Sequence, residues 1–156
     1  MSKEHHYKTT IHWTGNQGTG TSSYRNYERS HTIKVENKTL IEGSSDPAFR
    51  GDKTKHNPED MFLSSISSCH MLWYLHFCSE EGIIVTDYTD DATGIMTETA
   101  DGGGAFTSVT LHPTVTVTET VMMEKAKELH HKAGQFCFIA RSLNFPVKHI
   151  PTLLIK

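Results

Sequence analysis

No long apolar run occurs in this chain of 156 residues. The longest stretch of aliphatic and aromatic side chains is "MLWYL", residues 71–75, far short of the ~20 that a membrane-spanning helix needs. Cysteine is also scarce: three thiols, an odd number, argue against a secreted disulfide framework and for a cytoplasmic protein with reduced thiols. A strong charge of either sign is missing, with a formal net charge of −3. That balance supplies no electrostatic reason to bind nucleic acid or an anionic membrane. The opening "MSKEHHYKTT" lacks the apolar core and cleavage site of a secretory signal. There is no repeat, low-complexity tract or linker, and the length suits a single domain over residues 1–156.

Histidine, by contrast, is plentiful at eleven residues. The histidines are scattered, and His130 and His131 point about 100° apart on any helix. No HExxH or CxxC spacing occurs. The reading is of surface and half-buried side chains, with no metal and no bound organic cofactor.

Period-two alternation around Ile11 and Trp13, and again from His31 to Asn37, predicts antiparallel strands, with "GNQGTG" and "ENKT" as turns. "DPAFRGDKTKH" reads as a polar connection. The segment 57–82, "NPEDMFLSSISSCHMLWYLHFCSEEG", reads as a helix of roughly 25 residues. Asn57 is a good N-cap, Pro58 fits the first helical position, Glu59 and Asp60 suit the positive end, and Gly82 is a stop. Its apolar residues cover most of the circumference, so it should be buried on all sides. A chain this short hardly encloses such a helix alone, which predicts a second subunit.

Two β-branched segments follow, "IIVTDYTDDATGIMTE" and "GAFTSVTLHPTVTVT", joined as a hairpin through "ADGGG". His112-Pro113 predicts an edge or a bulge. "TETVMMEKAKELHHKAGQ" predicts an amphipathic helix, "FCFIARSLN" a short helix or tight turn, and "FPVKHIPTLLI" a last strand. The order is ββ, long helix, ββ, helix, β: an α+β protein with helices against antiparallel sheet.

Cys69 and Cys78 lie nine residues apart, on opposite faces of the helix, and cannot pair. Taken alone, each is most simply inert packing. Cys137 falls where the chain breaks and restarts; a thiol at the start of a helical turn should have a lowered pKa.

"NPEDMFLSSISSCHMLWYL", followed 68 residues after its cysteine by "FCFIARSLN", resembles the OsmC/Ohr family of osmotically inducible and organic-hydroperoxide-resistance proteins. The resemblance covers most of the chain. It implies an intertwined homodimer whose two long central helices are wrapped by sheet, and thiol-dependent reduction of organic hydroperoxides by a dithiol reductant. Carried over by position, Cys69 matches the peroxide-attacking thiol, Cys137 the resolving thiol, and Glu59 the glutamate of the "NPE" segment. The thiolate-stabilising arginine falls on Arg25, with Arg50 in "DPAFRGD" as the rival. A guanidinium lowers a thiol pKa and receives the developing oxyanion, and a carboxylate can hold it. Glu59 lies ten residues from Cys69, about 15 Å along a helix, so it must act through an arginine or across a dimer. Phe62, Met71, Trp73 and Phe77 are candidate apolar walls for an alkyl hydroperoxide. The chain departs from the family in carrying Cys137-Phe138 where many members have Cys-Pro, in placing Ser142 five residues on, and in having His70 directly after Cys69. It reads as a divergent branch. The alternatives are a non-enzymatic, small-molecule-binding member of the fold and a redox-sensing stress protein.

Overall fold

The computed structural model describes residues 3–156, which fall into two compact units, the first ending at Met61 and the second running from Phe62 to Lys156. In the first, strands β1 (Thr10–Trp13), β2 (His31–Lys34) and β3 (Ile41–Gly43) form an antiparallel meander, with Ile11 opposite Ile33 and Ile33 opposite Ile41. The turn at "GNQGTG" is held by the Asn16 side chain, whose oxygen accepts from Gly18 N and Gly20 N. Strand β1 is exposed along its whole length. A short 3-10 turn, Pro47–Phe49, capped by Asp46, occupies the polar connection.

Helix α1 runs from Pro58 to Glu80. Its start is a reciprocal cap: Asn57 Oδ1 accepts from Asp60 N at 2.7 Å while Asp60 accepts from Asn57 N at 3.4 Å. It ends in a Schellman motif, Ile83 N bonding Cys78 O at 2.8 Å, with Gly82 at φ +69°, a conformation open to a residue without Cβ. Ile66, His70, Tyr74, Phe77 and Cys78 form the buried stripe, spaced by three or four residues. The expectation of burial on every side fails for one chain: Leu72 is 63 % exposed.

The second unit corrects the expectation of purely antiparallel sheet. Each long β segment breaks once, giving β4 (Val85–Asp90) and β5 (Thr93–Glu98), β6 (Gly104–Leu111) and β7 (Pro113–Val117), and β8 (Val147–His149) and β9 (Thr152–Ile155). These assemble as two sheets, β4-β7-β9 and β5-β6-β8. Strands β8 and β9 run parallel to β6 and β7, while the β4–β7 and β5–β6 pairs are antiparallel. Helix α2 (Met123–Phe136) supplies the crossover that parallel pairing requires. At the breaks, Asp90 Oδ1 accepts from His112 N at 2.7 Å, and Ile150 N bonds Leu111 O at 2.9 Å. Pro113 is therefore the first residue of a central strand, where its missing N–H is harmless, and not an edge residue. One core cluster joins Tyr74, Phe77 and Cys78 to Val115, Val117, Ala126, Leu129 and Ala133; a second joins Ile66 to Val109 and Leu111.

Candidate active site

Helix α1 and the end of α2 bring two thiols together. Cys137 closes α2, its N–H bonding Ala133 O at 2.9 Å, and the chain then tightens into a 3-10 turn at Ala140–Ser142. Its Sγ accepts from Ala140 N at 3.4 Å. That donor favours the thiolate, as the sequence position suggested, but it is outweighed. Burial first, and then the neighbouring Cys69 thiol, push Cys137 up to about 11. The lowered pKa expected from a helical start is thus reversed, and Cys137 is a protonated thiol at neutral pH. Cys69 is half-buried, Cys137 fully buried, and both are free.

Aromatic rings bracket this pair. Trp73 lies one turn beyond Cys69, hence on the same helix face, and its ring meets Phe136 at 5.4 Å and Phe138 at 5.5 Å. Phe136 and Phe138 flank Cys137 in the chain and both are exposed. Of the four expected apolar walls, Trp73 belongs here, and Phe77 supports it at 5.4 Å from within the core. Phe62 packs instead on Phe106 at 4.7 Å. Met71 lines a separate cleft of about 440 Å³ with Ser67, Tyr88 and Asp90. Ser142 Oγ donates to Phe138 O at 2.8 Å and so braces the turn after Cys137.

Cys78, as its helix face required, is remote in character from this pair. It is buried in the main core cluster beside Tyr74, and burial raises its pKa.

The remaining candidates lie in the first unit. Arg25 and Arg50 are both exposed and line one cleft of about 550 Å³ together with Tyr27, Glu28 and Arg29. Neither pairs with a carboxylate among the described residues, whereas Arg29 is engaged by the Tyr24 and Tyr27 carbonyls and rings. Arg50 adopts φ +65°, a conformation that non-glycine residues seldom take. Glu59 is half-buried, and its Oε2 is buried with no hydrogen-bond partner among the described residues.

A second feature escaped the sequence reading. His70 and His130, taken there as surface or half-buried, are fully buried and joined by a 3.0 Å hydrogen bond between His70 Nε2 and His130 Nδ1. Their rings are nearly coplanar, 8° apart. Tyr74 stacks on His130 at 3.8 Å, and His149 of β8 on His70 at 4.6 Å. Burial, reinforced by the neighbouring imidazoles, lowers both pKa values to about 3, so the pair is neutral. His70 Nδ1 and His130 Nε2 have no hydrogen-bond partner among the described residues. Two neutral imidazoles have two N–H groups, of which one fills the shared bond. The other must sit on one of those outer nitrogens, leaving one donor and one acceptor unpaired in either tautomer, at roughly 1–3 kcal/mol each. The signal in the sequence was His70 on the buried stripe of α1, although its partner 60 residues away was not readable. Among the described residues, no three His, Cys, Asp or Glu side chains converge to hold a metal ion. Among the described residues, no helix is long and apolar enough to cross a membrane.

The sequence profile described as "OsmC-like protein" matches residues 51–151, which hold both thiols. The chain belongs to the OsmC-like family. Its fold is similar to that of an OsmC-like protein of unknown function from Vibrio cholerae, with TM-score 0.85, 27 % identity, and coverage of 95 % of this chain and 99 % of that one. An organic hydroperoxide resistance protein from Elizabethkingia anophelis, with thiocyanate bound, matches with TM-score 0.71 and 18 % identity over 100 % of both chains. An organic hydroperoxide resistance protein of Bacillus subtilis matches with TM-score 0.64 and 21 % identity over 96 % of this chain and 98 % of that one. At those two identities the likeness is one of fold. No curated protein matches this sequence.

Proposed function

We propose that this OsmC-like chain, acting as one domain over residues 1–156, is a thiol-dependent peroxidase that reduces organic hydroperoxides in the cytoplasm. The observation that carries the reading is the half-buried Cys69 thiol set beside a buried, protonated Cys137 thiol. The more accessible sulfur is the natural attacker, and the buried one beside it is placed to react second. The Cys69 thiolate attacks the terminal peroxide oxygen; the O–O bond breaks, and the alkoxide leaves with a proton as the alcohol. Cys69 becomes a sulfenic acid. The Cys137 sulfur then displaces its oxygen, the thiol proton departs with that oxygen in a water molecule, and a Cys69–Cys137 disulfide remains. A dithiol reductant exchanges with the disulfide and restores both thiols.

Arg25, or Arg50 in its place, is assigned to stabilise the thiolate and the developing oxyanion, with Glu59 orienting the guanidinium. The unpaired guanidinia and the unpartnered Glu59 oxygen support this assignment, because none of them has a counter-ion among the described residues. The working form is a homodimer. Uncovered apolar residues in both units support it: Ile11 (58 %) and Trp13 (40 %) on the N-terminal sheet, and Leu72 and Phe138 (67 %) beside the thiols. The Trp73, Phe136 and Phe138 rings favour an apolar alkyl group on the peroxide.

One observation favours a second reading. A Cys137 pKa of about 11 leaves little thiolate, and slow capture of an oxidised Cys69 is the behaviour of a redox sensor. Steady-state consumption of cumene and tert-butyl hydroperoxide against hydrogen peroxide, with a dithiol reductant, separates the two. The peroxidase reading expects sustained turnover and a preference for the organic peroxides. One equivalent consumed per chain, without turnover, supports the sensor.

A further inference from the structure

We infer that His70 and His130 are positioning residues that fix helix α2 on helix α1 and thereby set how readily Cys137 captures an oxidised Cys69. The inference rests on the reading that these two thiols form a disulfide.

The two helices carry two adjoining pairs. Cys69 and His70 are neighbours on α1; His130 and Cys137 are seven residues apart, two turns of α2, and so face the same way. The buried part of the α1–α2 seam is otherwise apolar, Tyr74, Phe77 and Cys78 clustering with Ala126, Leu129 and Ala133; at its solvent edge Lys132 Nζ lies 4.1 Å over the Phe77 ring and Lys125 Nζ 4.0 Å from Glu81. Apolar packing is non-directional, and small side chains such as Ala126 and Ala133 offer little to resist sliding or rotation. A hydrogen bond tolerates only a narrow range of distance and angle. The 3.0 Å imidazole bond is therefore the buried directional contact that specifies register, while the Lys125 and Lys132 contacts lie on flexible, partly exposed side chains.

Two further contacts stiffen it. Tyr74 stacks on the His130 ring at 3.8 Å and His149 on the His70 ring at 4.6 Å. His149 reaches His70 by passing close over Gly134 of α2, where an added Cβ would lie 2.6 Å from His149 Cε1. The glycine thus lets one imidazole ladder tie α1, α2 and β8 together, one turn before Cys137. Stability alone does not account for the pair, since each tautomer leaves a donor and an acceptor unpaired and two apolar side chains would not. The arrangement trades stability for a defined geometry, and the geometry it defines includes the thiol pair at the end of the same helix.

The test separates capture from attack in the full-length protein. Diamide oxidises two thiols to a disulfide and is itself reduced to the hydrazine, taking up both protons and both electrons. It reports Cys69–Cys137 closure without needing peroxidase activity. Wild type, His130→Leu, His70→Phe and the conservative His130→Gln are oxidised with diamide, quenched by alkylation and scored by mass spectrometry. In parallel, the first equivalent of cumene hydroperoxide consumed is timed. Closure should slow by about tenfold or more in His130→Leu and His70→Phe, because a misplacement near 1 Å is enough for such a loss. Melting temperature should hold or rise, and the first peroxide equivalent should be consumed at the wild-type rate. His130→Gln, whose amide can still bond His70, should recover most of the closure rate and serves alone if the apolar variants do not fold. Unchanged closure in a folded apolar variant, a loss that merely follows melting temperature, or no recovery in His130→Gln would overturn the inference. A wild type that closes with diamide yet consumes no peroxide would refute the peroxidase reading and leave this one standing.

Discussion

Lowering the pH from 7.5 to 5.0 should destabilise this protein sharply, and two buried imidazoles should carry most of the effect. His70 and His130 have folded pKa values of about 3, against 6.5 for a free side chain. Above pH 6.5 both are neutral, folded or unfolded, and make no pH-dependent contribution. Below it the unfolded chain binds protons that the folded chain refuses, and stability falls until the folded pKa is reached. At pH 5.0 the loss is about 2 kcal/mol for each imidazole, and about 4 kcal/mol for the pair, from the 1.36 kcal/mol that each pH unit carries. His149 pulls the same way, its pKa lowered by burial and by His131, with Asp90 opposing in part. Tyr74, stacked on His130, is held neutral by burial and supplies no counter-charge. Urea denaturation at the two pH values, at one protein concentration, measures the loss. The double variant His70→Phe/His130→Leu is the control, since it has neither imidazole. The reasoning is refuted if the double variant loses as much stability as the wild type between pH 7.5 and 5.0.

Further outcomes follow from single contacts. Gly134→Ala should force His149 off His70 and cost about 1–3 kcal/mol, seen as a lowered urea midpoint; an unchanged midpoint would show that the close approach of the ring to α2 is slack. Asn57→Ala removes the acceptor for Asp60 N and should cost about 1 kcal/mol, whereas Asn57→Asp should hold stability. Sedimentation should find a dimer at micromolar concentration, and a stable folded monomer would contradict the assignment of Leu72, Trp13 and Phe138 to a covered surface.

The sequence was most legible where the determinants are local. Asn57, Pro58 and Asp60 mark the start of α1 and Gly82 its end, and both ends came out as read. The opposed faces of Cys69 and Cys78 follow from helix geometry alone. Of the strand breaks only an irregularity at His112-Pro113 was legible; at Asp91-Ala92 and Ile150-Pro151 strand-forming residues stand on both sides while the partner strand changes. What bends the chain there includes the Asp90 carboxylate accepting from His112 N, a contact across 22 residues. Parallel pairing of β8 and β9 was hidden for the same reason. At the site, the backbone donors to Cys137 were foreseeable from the helical restart, but the burial that overrides them depends on packing. The imidazole pair needed both helices in place before either member had meaning.

The central claim is that Cys69 attacks a peroxide and Cys137 resolves the product. It is tested most directly by identifying the sulfur species after one equivalent of cumene hydroperoxide, in wild type and in Cys69→Ser, Cys137→Ser and Cys78→Ser. Mass spectrometry should find a Cys69–Cys137 disulfide in wild type and in Cys78→Ser. Cys137→Ser should hold a sulfenic acid at Cys69 that dimedone traps and excess peroxide overoxidises, and Cys69→Ser should consume no peroxide. Peroxide turnover surviving in Cys69→Ser, or Cys78 appearing in the wild-type bridge, would contradict the account.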